Sequence, residues 1–148
     1  MTYVAHEGLL LDYEDALTRL DAYNEQQYSL SSHLIWIGER TRNLEGAHME
    51  FFSKVQTPLG IKIGPCIKKQ EFVDTVRKLN PKNDPSKLVV YPRLGKKKIS
   101  EVLHLLIDAK KENGLEFIWV CDPMHGNTFQ TENGFKSRRF ADLMEELR

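Results

Sequence analysis

The 148-residue sequence predicts an α/β fold of parallel βα units. Four short apolar runs, 33–37, 59–63, 88–91 and 117–120, are rich in β-branched and aromatic residues and read as strands. Their centres, Ile35, Ile61, Val89 and Ile118, stand 26, 28 and 29 residues apart, close to one βα unit each.

The elements follow in order. Residues 1–32 read as an N-terminal arm outside the repeat, with a lead-in helix or extended stretch over 9–20. Residues 45–54, between the first two strands, are weakly periodic and fit a short helix or an irregular connection. Phe72, Val73, Val76 and Leu79 form the apolar stripe of an amphipathic helix, stopped by Asn80-Pro81. Ile99, Val102, Leu103, Leu106 and Ala109 predict a second helix, with Asn113-Gly114 as a left-handed C-cap. Phe140, Leu143, Met144 and Leu147 predict a third.

Strands alternating with helices imply parallel neighbours joined by right-handed crossovers, with helices covering the sheet. From Leu34 to Leu147 the four units take 114 residues, so 33–148 is expected as one domain, half of a TIM-type (β/α)8 barrel. An open doubly wound sheet fits the length better, but no G-x-G-x-x-G or Walker A loop follows any strand. Half a barrel leaves the strands at 33–37 and 117–120 as unpaired edges, so a homo-oligomer or a complementary barrel segment is the expected partner.

Composition narrows the function. With 21 basic and 21 acidic residues the formal charge is zero, so no global field draws nucleic acid or an anionic membrane. The longest apolar runs are strand-sized and the N-terminus lacks a signal-peptide pattern, so a cytoplasmic location is expected. Cys66 and Cys121 lie 55 residues apart without CxxC spacing and read as reduced, small, buried or semi-buried hydrophobes.

In parallel α/β folds the working residues sit at the C-terminal ends of strands. After the first strand comes Gly38-Glu39-Arg40-Thr41-Arg42, after the third Pro92-Arg93-Leu94-Gly95, and after the fourth Cys121-Asp122-Pro123-Met124-His125-Gly126-Asn127-Thr128. In the second, Lys62 stands between Ile61 and Ile63, where an ammonium needs an anion or a carboxylate partner. It is either an anion-binding group or half of a structural ion pair. Arg40 and Arg93 carry planar forks suited to phosphate and carboxylate oxygens. Glu39 accepts from these cations, orients a water, or pairs with Arg40 or Lys62. His125 is a candidate metal ligand or acid-base, against the alternative of a solvated loop residue. Asp122 either ligates beside it or holds the loop by an Asx-turn before Pro123. His33 and His48 read as structural, and Lys96 to Lys98 as a solvated helix entrance or an extension of an anion-attracting field.

These residues stand in longer strings: Leu9-Leu10-Leu11-Asp12-Tyr13-Glu14, Trp36-Ile37-Gly38-Glu39-Arg40-Thr41-Arg42, Gly60-Ile61-Lys62-Ile63-Gly64-Pro65, Leu79-Asn80-Pro81 and Trp119-Val120-Cys121-Asp122-Pro123-Met124-His125-Gly126-Asn127-Thr128. Over nearly its whole length the chain resembles a class II 3-deoxy-D-arabino-heptulosonate 7-phosphate (DAHP) synthase. The resemblance implies the first step of the shikimate pathway to chorismate and the aromatic amino acids, in which phosphoenolpyruvate condenses with erythrose 4-phosphate to give DAHP and phosphate. It implies a divalent metal, commonly manganese, with His125 falling on a metal ligand and Glu39, Arg40, Lys62 and Arg93 falling where the family binds phosphoenolpyruvate. The family's other metal ligands lie upstream and downstream of the matched stretch, and neither Cys66 nor Cys121 matches its ligand cysteine. A fragment inactive by itself is therefore expected, with a non-catalytic phosphate-binding module or an inert fragment pairing with another chain as the alternative.

Overall fold

The computed structural model describes residues 2–148. In chain order its elements are β1 (Ala5–Glu7), α1 (Leu11–Ala16), β2 (Thr18–Leu20), β3 (Gln27–Ser29), β4 (Leu34–Ile37), α2 (Ala47–Ser53), β5 (Leu59–Ile63), α3 (Lys69–Leu79), β6 (Leu88–Pro92), α4 (Ile99–Asn113), β7 (Ile118–Trp119), β8 (Phe129–Gln130), β9 (Lys136–Ser137) and α5 (Phe140–Glu146). The class is α/β, as expected. One sheet runs β1-β4-β5-β6-β7 with every pair parallel, and β2-β3 and β8-β9 are two-stranded antiparallel ribbons.

The sheet has five strands where four were expected. Ala5–Glu7 pairs with Leu34, Ile35 and Trp36, so part of segment 1–32 belongs to the sheet and the edge expected at 33–37 is covered. The sequence Ala-His-Glu has no apolar run; backbone pairing with β4 recruits it rather than side-chain burial. The edges are β1 and the two-residue β7. The stretch 9–20 divides between the short α1 and β2.

Alternation along the strands separates two faces. Ile35, Ile37, Leu59, Ile61, Ile63, Leu88 and Val90 join Met49 and Phe52 of α2, Phe72, Val76 and Leu79 of α3, and Val102 and Leu106 of α4 in a single core. The intervening residues, Trp36, Gly60, Lys62, Val89, Tyr91 and Ile118, occupy the opposite face, where Ile118 is 49% exposed. The helices thus cover one face and not both.

Helix boundaries follow the local signals. α3 ends at Leu79, and Asn80 donates to the carbonyls of Asp84 and Glu116 at 2.8 and 2.9 Å, fixing the turn into β6. α4 ends on Gly114 at φ +59°, the left-handed cap expected there. α5 forms where its periodicity predicted, but its apolar residues Phe140, Met144 and Leu147 are exposed and its buried residue is Glu146.

Candidate functional site

Backbone pairing carries the strand order out to the rim. Arg93 N donates to Ile63 O at 2.9 Å and Asp122 N to Pro92 O at 2.9 Å, so the residue after β6 is held against β5 and the loop after β7 against β6. Glu39, Arg40, Lys62, Arg93 and His125 consequently line one concavity of about 420 Å³. Glu7, Trp36, Gly38, Thr128, Lys136 and Arg138 complete its wall. A second hollow, about 480 Å³, opens beside Thr57 and Pro58, just before β5 and so at the opposite end of the strands from the rim.

Lys62 is the centre of the arrangement. Its Nζ lies 2.6 Å from Asp122 Oδ2 and stands over two aromatic rings, 4.7 Å from the centroid of Tyr91 and 5.5 Å from that of Trp36. Gly60 makes this possible: a Cβ there would fall 2.6 Å from a Tyr91 ring carbon and 2.9 Å from Trp36 Cβ. Burial pushes the Tyr91 phenol up from its usual pKa. Of the two readings of Lys62, the structure displays the ion pair, with an acidic partner that also faces the concavity's histidine.

Asp122 serves three purposes. Its Oδ1 accepts from Met124 N at 3.2 Å, the expected Asx-turn before Pro123. Its two oxygens face His125 Nδ1 at 2.9 and 2.8 Å. A carboxylate only accepts, so Nδ1 carries the proton and Nε2 is the basic nitrogen of the neutral ring. Burial would raise the Asp122 pKa, but hydrogen bonds from Lys62 and His125 outweigh it and hold the carboxyl below its usual range.

Glu39 takes a partner that the sequence reading did not consider. Arg42 Nε and Nη2 grip its two oxygens at 2.9 Å each, and Arg42 Nη1 reaches Glu71 on α3. The guanidinium is largely buried, which would lower its pKa, yet its bonds to Glu39 and Glu71 raise it. Glu39 also accepts from Gly64 N, where an added Cβ would lie 2.7 Å from Oε1. Neither Arg40 nor Lys62 holds Glu39; Arg40 is exposed on the rim. Arg93 Nη2 donates to His125 O at 3.0 Å and so joins the two loops.

Other expectations resolve simply. His33 accepts from Val4 N at 3.2 Å and His48 Nε2 meets Leu9 O at 3.0 Å, both structural roles. Lys96 pairs with Asp142 and Glu145, and Lys98 with Glu101, so two of the three lysines of that run are held in ion pairs. Cys66 and Cys121 are free thiols but exposed, which corrects the buried reading: each sits on a polar rim loop rather than in a strand interior. Lys136 and Arg138 went unnoticed; their i,i+2 spacing beside the Gly134 turn was the available signal. Among the described residues no three of His, Cys, Asp and Glu gather to hold a metal ion, and no helix is long and apolar enough to cross a membrane.

Comparison with known proteins places the chain in a family. The family model described as the class-II DAHP synthetase family matches residues 1–148. A phospho-2-dehydro-3-deoxyheptonate aldolase of Streptomyces coelicolor is 43% identical over 146 residues, covering 99% of this chain and 32% of the relative. A probable chloroplastic phospho-2-dehydro-3-deoxyheptonate aldolase of Catharanthus roseus is 44% identical over 99% of this chain and 30% of its own length. A namesake from Neurospora crassa is 37% identical over 98% and 34% respectively. The chain spans about a third of the length of these relatives. The match over the full chain establishes that it belongs to the class-II DAHP synthetase family.

Proposed function

We propose that this chain forms the phosphoenolpyruvate portion of a DAHP synthase site, carried on part of a (β/α)8 barrel. The observation that supports it best is the convergence of Arg40, Lys62 and Arg93 with Glu39 and His125 on one concavity. Phosphoenolpyruvate carries a phosphate and a carboxylate, and guanidinium and ammonium donors replace the water that those groups lose on binding. Arg93, fixed through its backbone to β5 and through its side chain to the His125 loop, is a prepared phosphate donor. Lys62 engages the anion by sharing or exchanging its contact with Asp122. Lys136 and Arg138, on the same wall, supply cations for the phosphate of the second substrate, erythrose 4-phosphate.

The proposed reaction takes a divalent metal, manganese, with His125 Nε2 as one ligand; when bound, the ion polarises the aldehyde that the enol carbon attacks. The Nδ1 contact with Asp122 orients the ring for that role, as outer carboxylates do for ligand histidines. The described residues do not complete the ligand set, so no step is assigned to the ion in this chain. That observation favours one second reading, in which the isolated chain binds the anion without turning it over.

Titration calorimetry with phosphoenolpyruvate, on the native chain beside Lys62→Ala and Arg93→Ala, tests the proposal. Binding by the native chain and at least tenfold weaker binding by each variant is the expected result. Equal binding by all three, or none by the native chain, sinks it. A phosphoenolpyruvate-consumption assay with erythrose 4-phosphate and manganese separates the two readings: turnover by the isolated chain excludes the non-catalytic one. Sedimentation is expected to give a mass above the 17.2 kDa of one chain, because half-exposed Ile118 and Val120 lie on the face that the helices leave open.

A further inference from the structure

We infer that Glu146 is a positioning residue, whose carboxylate clamps together the two loops that carry Arg93 and His125. This rests on the reading of those two residues just proposed. Glu146 is 4% exposed and is the buried residue of a helix whose Phe140 and Met144 are exposed. Burying a carboxylate is unfavourable unless donors surround it, and here they do. Oε1 accepts from both Leu94 N and Gly95 N at 2.9 Å, and Oε2 accepts from Asn127 Nδ2 at 2.5 Å.

Asn127 extends the clamp. Its Oδ1 accepts from Lys96 N at 3.0 Å, and its Nδ2 also donates to Pro123 O at 2.8 Å. Three successive amides after Arg93 are therefore satisfied by two side chains, one from α5 and one from the loop of His125. Successive amides around a left-handed glycine, here Gly95 at φ +77°, form a concavity suited to an anion, and Glu146 fills it from within the chain. The loops also touch directly: a Cβ on Gly126 would lie 2.3 Å from Gly95 N. With the amides occupied, an incoming anion is left the concavity with Lys62 and Arg93, and the spacing of Arg93 from His125 is set by the carboxylate rather than by either loop alone.

The test uses the full chain and its Glu146→Ala and Glu146→Gln variants, with amide hydrogen exchange as the first readout and phosphoenolpyruvate affinity as the second. In Glu146→Ala the Leu94 and Gly95 amides are expected to exchange about tenfold faster or more, the loss of two hydrogen bonds to a charged group. Phosphoenolpyruvate affinity is expected to fall about as far. Added formate, which fits the vacated concavity, restores both; a helix held on merely by its own packing gains nothing from formate. Glu146→Gln keeps an oxygen for Leu94 and Gly95 but turns an amide donor toward Asn127. It should therefore leave the first two amides protected and disturb the Asn127 side-chain signals, a result readable even if the alanine variant unfolds. Unchanged exchange in a folded Glu146→Ala, or a loss that formate does not reverse, overturns the clamp, as do unaltered Asn127 signals in Glu146→Gln. If formate restores exchange but the native chain binds no phosphoenolpyruvate, the clamp stands and the substrate reading falls.

Discussion

Lys62 Nζ stands 2.6 Å from Asp122 Oδ2, and the same carboxylate oxygen lies 2.8 Å from His125 Nδ1, so one acid joins the strand lysine to the loop histidine. Lys62 and Asp122 are both mostly buried, and removing one partner strands the other charge. Asp122→Asn, which keeps an acceptor for the Asx-turn, is expected to destabilise the chain by about 3 kcal/mol. Urea denaturation measures it; a change under about 0.5 kcal/mol, the scale of an exposed pair, would contradict the burial argument.

The same pair predicts an acid limb to stability. The Asp122 pKa is lower in the folded chain than in the unfolded one, because Lys62 and His125 hydrogen bonds outweigh burial. Its contribution is therefore complete above the unfolded value, near 4, and is lost as pH falls through the folded one. Native stability should drop more steeply than that of Asp122→Asn below about pH 4. Parallel curves for the two proteins would remove Asp122 from the acid transition.

Lys87 predicts a slope of the same sign at high pH. Its ammonium donates to Val55 O and Thr57 O at the N-terminal ends of β5 and β6, and burial lowers its pKa to about 8. Between that value and the unfolded one, near 10.4, the unfolded chain binds more protons, so this group's contribution to stability rises with pH. Subtracting the stability of Lys87→Met from that of the native chain, point by point from pH 7 to 10, isolates the effect. A difference that is flat or falling would show that the carbonyl contacts keep the ammonium charged.

Gly60→Ala tests the packing that surrounds Lys62. The new methyl would meet the Tyr91 ring and Trp36 Cβ at distances too short for contact, and β5 lies in the middle of the sheet. A loss of about 2 kcal/mol is expected, with weaker phosphoenolpyruvate binding as the Tyr91 ring moves away from the ammonium. Unchanged stability would mean that Tyr91 can swing aside freely.

Much of the rim was legible in the sequence. In parallel βα units the residue after each apolar run lies on the same edge, so local periodicity located Arg40, Arg93 and His125, and an isolated charge within an apolar run located Lys62. The strand reading failed at Ala5–Glu7, because backbone hydrogen bonding to β4 leaves no mark on side-chain polarity. It misjudged α5 for a related reason: the periodicity of Phe140, Leu143 and Met144 predicted a helix correctly, but not which face that helix turns inward.

By itself the sequence determined the alternation of strands and helices, the rim on which the cations sit, and the family to which the strings belong. Only the tertiary structure decided the partners: Asp122 for Lys62, 60 residues away, Arg42 for Glu39, and Glu146 for the amides of Leu94 and Gly95, 52 and 51 residues away. The physical reason is that periodicity reports which side of an element is apolar, a property of neighbours along the chain. Which donor satisfies a buried charge depends on distances that exist only once the sheet order has formed.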